Sequence, residues 1–224
     1  MRNKQLMKAG SACAAAAAAL TFLVVVRWQP LIGFDERVAG TLHPYAVSHP
    51  AVTHLMRVLS DWVWDPWTMR ALAAAACGLL WWRGDRVRAA WVAAATLTAS
   101  AVQQGLKAAV GRERPQWPDP VDSAHYAAYP SGHAMTATVV CGLLLWLMPP
   151  TVPRRLAYGA WTVAAVSVLG VGFTRLHLGV HWFSDVLAGW LLGAGLVSLV
   201  ALAACRCACP GRSPASPRTD DTVR

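Results

Sequence analysis

Six apolar runs, each close to the length of a membrane crossing, constrain this chain more than any other feature. A helix needs about 20 residues to traverse the hydrocarbon, with a range of roughly 17 to 25. The runs lie near residues 9–26, 63–82, 89–110, 133–148, 157–173 and 184–204, separated by short polar stretches. Apolar residues gathered into blocks, rather than spread at the period of an amphipathic element, are the pattern of a chain solvated by lipid. Charged residues make up only 14% of the chain, against about a quarter in soluble domains. The expected fold class is therefore all-α: a polytopic membrane protein, a six-transmembrane-helix bundle forming one domain over residues 1–205. The fourth run is short, and the second carries Asp65 and Arg70. Arg2, Lys4 and Lys8 precede the first run as they would a signal peptide. However, Leu-Thr-Phe-Leu-Val-Val-Val-Arg follows its alanines with no A-x-A site, which favours a retained anchor.

The net charge of +9 does not point to nucleic acid, because no basic stripe lies on a soluble surface. It follows instead from the habit of membrane proteins to collect Lys and Arg in cytoplasmic loops. With the N-terminus inside, the inner segments hold Arg2, Lys4, Lys8, Arg83, Arg86, Arg88, Arg154, Arg155, Arg206, Arg212, Arg218 and Arg224, which is 12 of the 20 Lys and Arg. The chain is expected in the plasma membrane with both termini in the cytoplasm. Trp62, Trp64 and Trp67 at one end of the second run, and Trp81 and Trp82 at the other, read as an aromatic belt. Residues 206–224, rich in Pro, Ser, Arg and Asp, are expected to form a disordered cytoplasmic tail. Cys205, Cys207 and Cys209 lack the matching second half of a zinc site.

Between the first two runs lies an outer segment of about 35 residues. Phe34, Val38, Leu42 and Tyr45 recur at helical spacing, as do Val52, Leu55, Met56 and Leu59. Two short amphipathic helices on the membrane surface are expected, the alternative being a loop packed on the spans. His43, His49 and His54 match no metal-ligand spacing and read as interfacial polar residues.

Three clusters carry chemistry, all on the outer side by charge counting alone. In the first, Lys107 ends the third run and Arg114 follows two helical turns later, so the two share a face if the helix runs on to Pro115. Two cations converging on one point suit a bound phosphate. Arg112 and Glu113 are given no role. In the second, Tyr129-Pro130-Ser131-Gly132-His133 describes a helix start with Ser131 at the N-cap. Such a terminus presents backbone N–H groups to an anion, and Gly132 permits close approach. In the third, Thr174-Arg175-Leu-His177-Leu-Gly-Val-His181-Trp-Phe-Ser-Asp185 places His181 and Asp185 at i and i+4, on one face of a helix. A carboxylate accepting from one imidazole nitrogen leaves the other free to attack. Arg175 adds a third cation, and His177 reads as packing or support. Cations to hold oxygens, one histidine to attack and one to protonate a leaving oxygen make a site for phosphoryl transfer.

These three clusters resemble the type 2 phosphatidic acid phosphatase (PAP2) family, which is related to the vanadium haloperoxidases. The family pattern K-x6-RP is met by Lys107, Arg114 and Pro115. PSGH is met by Pro130, Ser131, Gly132 and His133, and SR-x5-H-x3-D by Arg175, His181 and Asp185. Thr174 stands where the family usually has Ser, so a hydroxyl is kept. The resemblance implies a lipid phosphate phosphatase that needs no cofactor or metal, acting through a phosphohistidine at the outer face. His181 would be the nucleophile, Asp185 its orienting group and His133 the general acid. Lys107, Arg114, Ser131, Gly132 and Arg175 would bind the phosphoryl oxygens. Its partners would be the lipid phosphate and the membrane lipids. Phosphatidate, phosphatidylglycerol phosphate and undecaprenyl diphosphate all stand as substrates. A non-lipid acid phosphatase or haloperoxidase-type enzyme, and an anion transporter, remain the alternatives.

Overall fold

The computed structural model describes residues 2–207, so the expected tail beyond Cys207, with Cys209, lies outside the described residues. Among the described residues eight α-helices follow one another: α1 (Arg2–Val25), α2 (Gln29–Ser48), α3 (Pro50–Val58), α4 (Pro66–Trp82), α5 (Arg86–Val110), α6 (Gly132–Leu147), α7 (Arg154–His177) and α8 (Phe183–Cys207). A short π-helical turn, Leu59–Val63, joins α3 to α4. No strand occurs among the described residues. The protein is an all-helical integral membrane protein. Among the described residues, three helices are long and apolar enough by themselves to cross a membrane, over Lys4–Val25, Arg154–His177 and Phe183–Cys205.

The short fourth run has a packing explanation. α6 is only 16 residues, and nine of them are buried: Gly132, Ala134, Met135, Thr136, Ala137, Val139, Val140, Cys141 and Leu143. A helix apolar all round belongs at the centre of a bundle, and α4, α5, α7 and α8 all pack against α6. Met69, Ala73, Val92, Ala95, Ala99, Met135, Val139, Leu143 and Val171 form the core between these helices. Outward, Leu97, Leu156, Tyr158, Trp161, Val163, Val166 and Leu169 are exposed. So large an apolar surface suits lipid rather than water. α1 lies along α8 with Ala17, Leu20 and Val24 buried, its small residues allowing close approach between helices.

Backbone meets backbone closely where α8 crosses the start of α6. A Cβ at Gly189 would stand 2.8 Å from the Ser131 carbonyl oxygen and 3.0 Å from the Met135 nitrogen. Because these are backbone atoms, no rotamer relieves the clash. Gly189→Ala is expected to cost about 1–3 kcal/mol, as overpacking does. Thermal unfolding in detergent would show this as a fall of roughly 2–10 °C.

Two expectations about span ends change. Asp65 is not buried in a span: its carboxylate caps α4, accepting from Trp67 N–H at 2.7 Å and Thr68 N–H at 3.2 Å. Trp64 does not join the belt, because its ring packs on Gly170 of α7, whereas Trp62, Trp67, Trp81 and Trp82 are exposed. The segment between the first two runs is helical, but α2 is longer than the short helix expected, at 20 residues. Its buried stripe is Asp35, Ala39, His43 and Ala46, while Phe34 and Tyr45 of the expected apolar stripe are exposed. The face turned to the bundle thus carries two polar groups.

His43 is accordingly not an interfacial residue. It is buried, stacks on Trp117 with centroids 4.0 Å apart, and bonds Asp119 at 3.1 Å. That bond holds the Asp119 carboxyl below its usual range. Trp117 in turn donates to the Gly179 carbonyl at 3.0 Å. α2 therefore clamps the connection between α5 and α6 onto the turn before α8. His177 plays the packing part expected of it. Its Nε2 bonds the Thr53 hydroxyl at 3.0 Å, tying α3 to the end of α7.

Candidate active site

The three clusters meet at one polar cavity of about 590 Å³, lined among others by Lys107, Arg114, Gly132, His133, Arg175 and His181. Each arrives from a different element. Lys107 is in the last turn of α5, and its Nζ donates to the Ala127 carbonyl. Arg114 does not continue that helix as expected. Gly111 ends α5 in the left-handed region at φ 58°, a conformation that suits glycine. Arg114 is therefore a loop residue, with Nε donating to the Tyr126 carbonyl at 2.6 Å and Nη1 to the Val180 carbonyl at 2.5 Å. Burial and the neighbouring Arg175 push it down to about 10, so it keeps its charge at neutral pH.

His181 also lies off the helix expected to carry it, in the turn before α8. It is buried and still reaches Asp185, Nδ1 to Oδ2 at 3.3 Å. Its Nε2 lies 3.1 Å from Arg114 Nη1. A guanidinium can only donate, so Nε2 is the acceptor and Nδ1–H is turned to the carboxylate. Burial above all, then the charges of Arg114, Arg175 and Lys107, holds His181 well below the ordinary histidine range. The imidazole is neutral, with its Nε2 lone pair at the cavity wall.

Asp185 lies behind His181, fully buried. Its Oδ2 also accepts from Trp182 N–H at 2.9 Å, and its Oδ1 from Arg112 Nη1 at 2.7 Å. Arg175, near the end of α7, is buried. Its Nη1 donates to the Ser60 hydroxyl at 2.8 Å and faces Asp122 at 3.8 Å and Asp61 at 4.0 Å. Its Nε has no partner among the described residues. Desolvation, and secondly the Asp122 charge, raises Asp61 above the usual carboxylate range.

At the start of α6, Ser131 occupies the N-cap position, but its hydroxyl makes no capping bond. That hydroxyl is buried without a partner among the described residues, while Ser131 N–H donates to the Asp185 carbonyl at 2.9 Å. At Gly132 a Cβ would meet Gln103 Nε2 at 2.5 Å. His133 follows in the first turn, facing the cavity. Thr174 is set apart from the others: its hydroxyl is buried and donates to Val171 within its own helix at 2.8 Å.

Several residues here escaped the sequence reading. Arg112, given no role, bridges Asp185 to Asp35 of α2 at 2.7 Å each. Arg70, Gln103, Asp61 and Asp122 line the cavity without belonging to any motif. A signal existed for Asp35: it shares the helical stripe of Ala39, His43 and Ala46, and a polar group on a buried stripe requires partners.

A family model described as the PAP2 superfamily matches residues 88–206, just over half of the chain, and the protein belongs to that family. It is 35% identical over 77 residues to an undecaprenyl-diphosphatase of Sulfolobus acidocaldarius, covering 34% of this chain and 32% of that one. It is 33% identical over 100 residues to phosphatidylglycerophosphatase B of Bacillus subtilis, covering 42% of this chain and 47% of that one. The matched region thus spans about a third to a half of these relatives' lengths. The fold is similar to the crystal structure of a transmembrane PAP2 type phosphatidylglycerolphosphate phosphatase from Bacillus subtilis. The TM-score is 0.70 at 21% identity, over 83% of this chain and 92% of that one.

Proposed function

We propose that the protein is a membrane lipid phosphatase that hydrolyses phosphate monoesters or diphosphates of lipids through a phosphohistidine. The observation that carries this reading is His181: neutral, with Nδ1–H on Asp185 and its Nε2 lone pair beside Arg114 at the wall of a cavity ringed by cations. Nε2 attacks phosphorus and forms the N–P bond. The bond from phosphorus to the lipid oxygen breaks, and His133 gives that oxygen its proton. Asp185 holds the imidazole as positive charge develops on it. Water then attacks the phosphohistidine while His133 takes a proton from it, and inorganic phosphate leaves.

Lys107, Arg114 and Arg175 meet the phosphoryl charge. Gly132, and the Ser131 hydroxyl that lacks a protein partner, complete the oxyanion cradle at the start of α6. With that many cations in place, the reaction is assigned no metal. The two named relatives act on lipid phosphates, as their names record, and this extends to the present chain the same substrate class. Six spans within residues 1–205, both termini cytoplasmic and the cavity at the outer face of the plasma membrane are the arrangement favoured by the Lys and Arg distribution.

The test is release of inorganic phosphate by the detergent-purified protein with a chelator present. The panel comprises phosphatidate, lysophosphatidate, phosphatidylglycerol phosphate and undecaprenyl diphosphate. Release from at least one lipid, undiminished by chelation, is the expected result. Release that stops on chelation and returns with a divalent cation would overturn the metal-free mechanism. A folded protein inert on every lipid would overturn the lipid phosphatase.

A further inference from the structure

Asp35 is buried in the middle of α2, 149 residues from its main partner, and belongs to none of the three motifs. Both of its oxygens are engaged. Oδ1 accepts from Ser184 N–H at 2.9 Å, in the first turn of α8. Oδ2 accepts from the Ser184 hydroxyl at 2.5 Å and from Arg112 Nη2 at 2.7 Å. The other terminal nitrogen of Arg112, Nη1, donates to the Ser184 hydroxyl at 2.6 Å and to Asp185 Oδ1 at 2.7 Å. The guanidinium also lies over the Trp182 ring, 5.5 Å from its centroid. One planar cation thus joins two fully buried carboxylates, and the second of them holds His181.

A cap on α8 explains the Ser184 bonds but not the arm to Arg112. That arm has an electrostatic consequence. A guanidinium bound to Asp185 alone would cancel the charge that the imidazole needs as it becomes positive. A second carboxylate on the same guanidinium shares that cation and so weakens the cancellation, close to His181 and out of water, where such charge counts most. It also fixes the plane of Arg112, and so which Asp185 oxygen is left for Nδ1–H.

We propose that Asp35, acting through Arg112, is a positioning residue for His181, so that the helix between the first two apolar runs completes the catalytic machinery. This rests on the reading of His181 as nucleophile. The inference concerns turnover, since neither Asp35 nor Arg112 lines the cavity that would receive the phosphoryl group.

The experiment compares wild type, Asp35→Asn, Arg112→Lys and the double variant. It measures kcat and KM on whichever lipid phosphate the wild type hydrolyses, inhibition by orthovanadate as a phosphoryl mimic, and thermal unfolding. Asn keeps the shape of Asp35 and removes its charge. Lys cannot span two carboxylates as a planar fork does. Each single variant is expected to lose kcat by roughly 10–100-fold, the usual range for a group that orients a reacting one, with KM and vanadate inhibition within about threefold of wild type. The double variant is expected to be slower than the slower single by no more than about threefold, because both changes cut the same chain of contacts. An unchanged kcat in Asp35→Asn, losses that multiply in the double variant, or a KM that rises as kcat falls would overturn the proposal. If Asp35→Asn does not fold, Arg112→Lys decides, and an unchanged kcat there overturns it. A wild type that releases no phosphate defeats the reading of His181 instead, so the two failures are told apart.

Discussion

His181→Ala is expected to lower phosphate release by on the order of 10⁵-fold or more while the protein stays folded. The reaction proposed needs a lone pair at the position of Nε2, held there by Asp185, and the cations beside it, Arg114 and Lys107, have no acceptor to offer. The fold should tolerate the change because the neighbours keep their partners. Asp185 retains Trp182 N–H and Arg112, and Arg114 retains the Val180 and Tyr126 carbonyls. Lys107, Arg114 and Arg175 remain to hold a phosphoryl group, so KM or vanadate inhibition should move far less than kcat. Rapid quench of the wild type with labelled substrate should trap an acid-labile, alkali-stable phosphoenzyme, and the variant should trap none. A variant with near wild-type turnover would remove His181 from the mechanism.

His133→Ala is expected to show the second largest loss, and one that depends on the leaving group. Protonation of an alkoxide leaving oxygen contributes about 10²–10⁴-fold. kcat/KM on a lipid phosphate monoester should therefore fall by that range. An aryl phosphate such as p-nitrophenyl phosphate expels a stable anion that needs no proton. Its kcat/KM, which reports phosphoryl transfer to the enzyme, should fall by less than about tenfold. Equal losses on the two substrates would mean that His133 binds phosphate instead of delivering a proton. It stands in the first turn of α6, at the helix end where an anion is also stabilised, so only the comparison separates the two roles.

Much of this site was legible in order along the chain. Charge counting put Lys107, Arg114, His133, Arg175 and His181 on one side, and the structure brings all five to one cavity. The local settings were read less well, for a common reason. Helical spacing relates Lys107 to Arg114 and His181 to Asp185, yet α5 ends at Gly111 and α8 begins at Phe183. The pairs meet through a left-handed turn and a helix-start turn that periodicity does not encode. Ser131 sits at a helix start as its residue type predicts, but its hydroxyl does not cap. Its neighbour Asp185 takes the backbone N–H through its carbonyl instead.

What the sequence determined by itself was the solvent of the protein and the chemistry of its site. Long apolar blocks are matched to hydrocarbon whatever they pack against. A histidine, a carboxylate four residues on and converging cations are matched to a phosphoryl group whatever scaffold holds them. Only the tertiary structure decided which face of α2 is buried, why 16 residues suffice for α6, and which charges compensate one another inside. Phe34 and Tyr45 looked like the buried stripe because transfer free energy favours them, but Asp35 and His43 occupy it. Asp35 is held by Ser184 and Arg112 and His43 Nε2 by Asp119, all from distant parts of the chain, which offsets the cost of burying them. The cost of burying a charge is set by its partners and not by its residue type, and partners 149 residues apart exist only once the chain has folded.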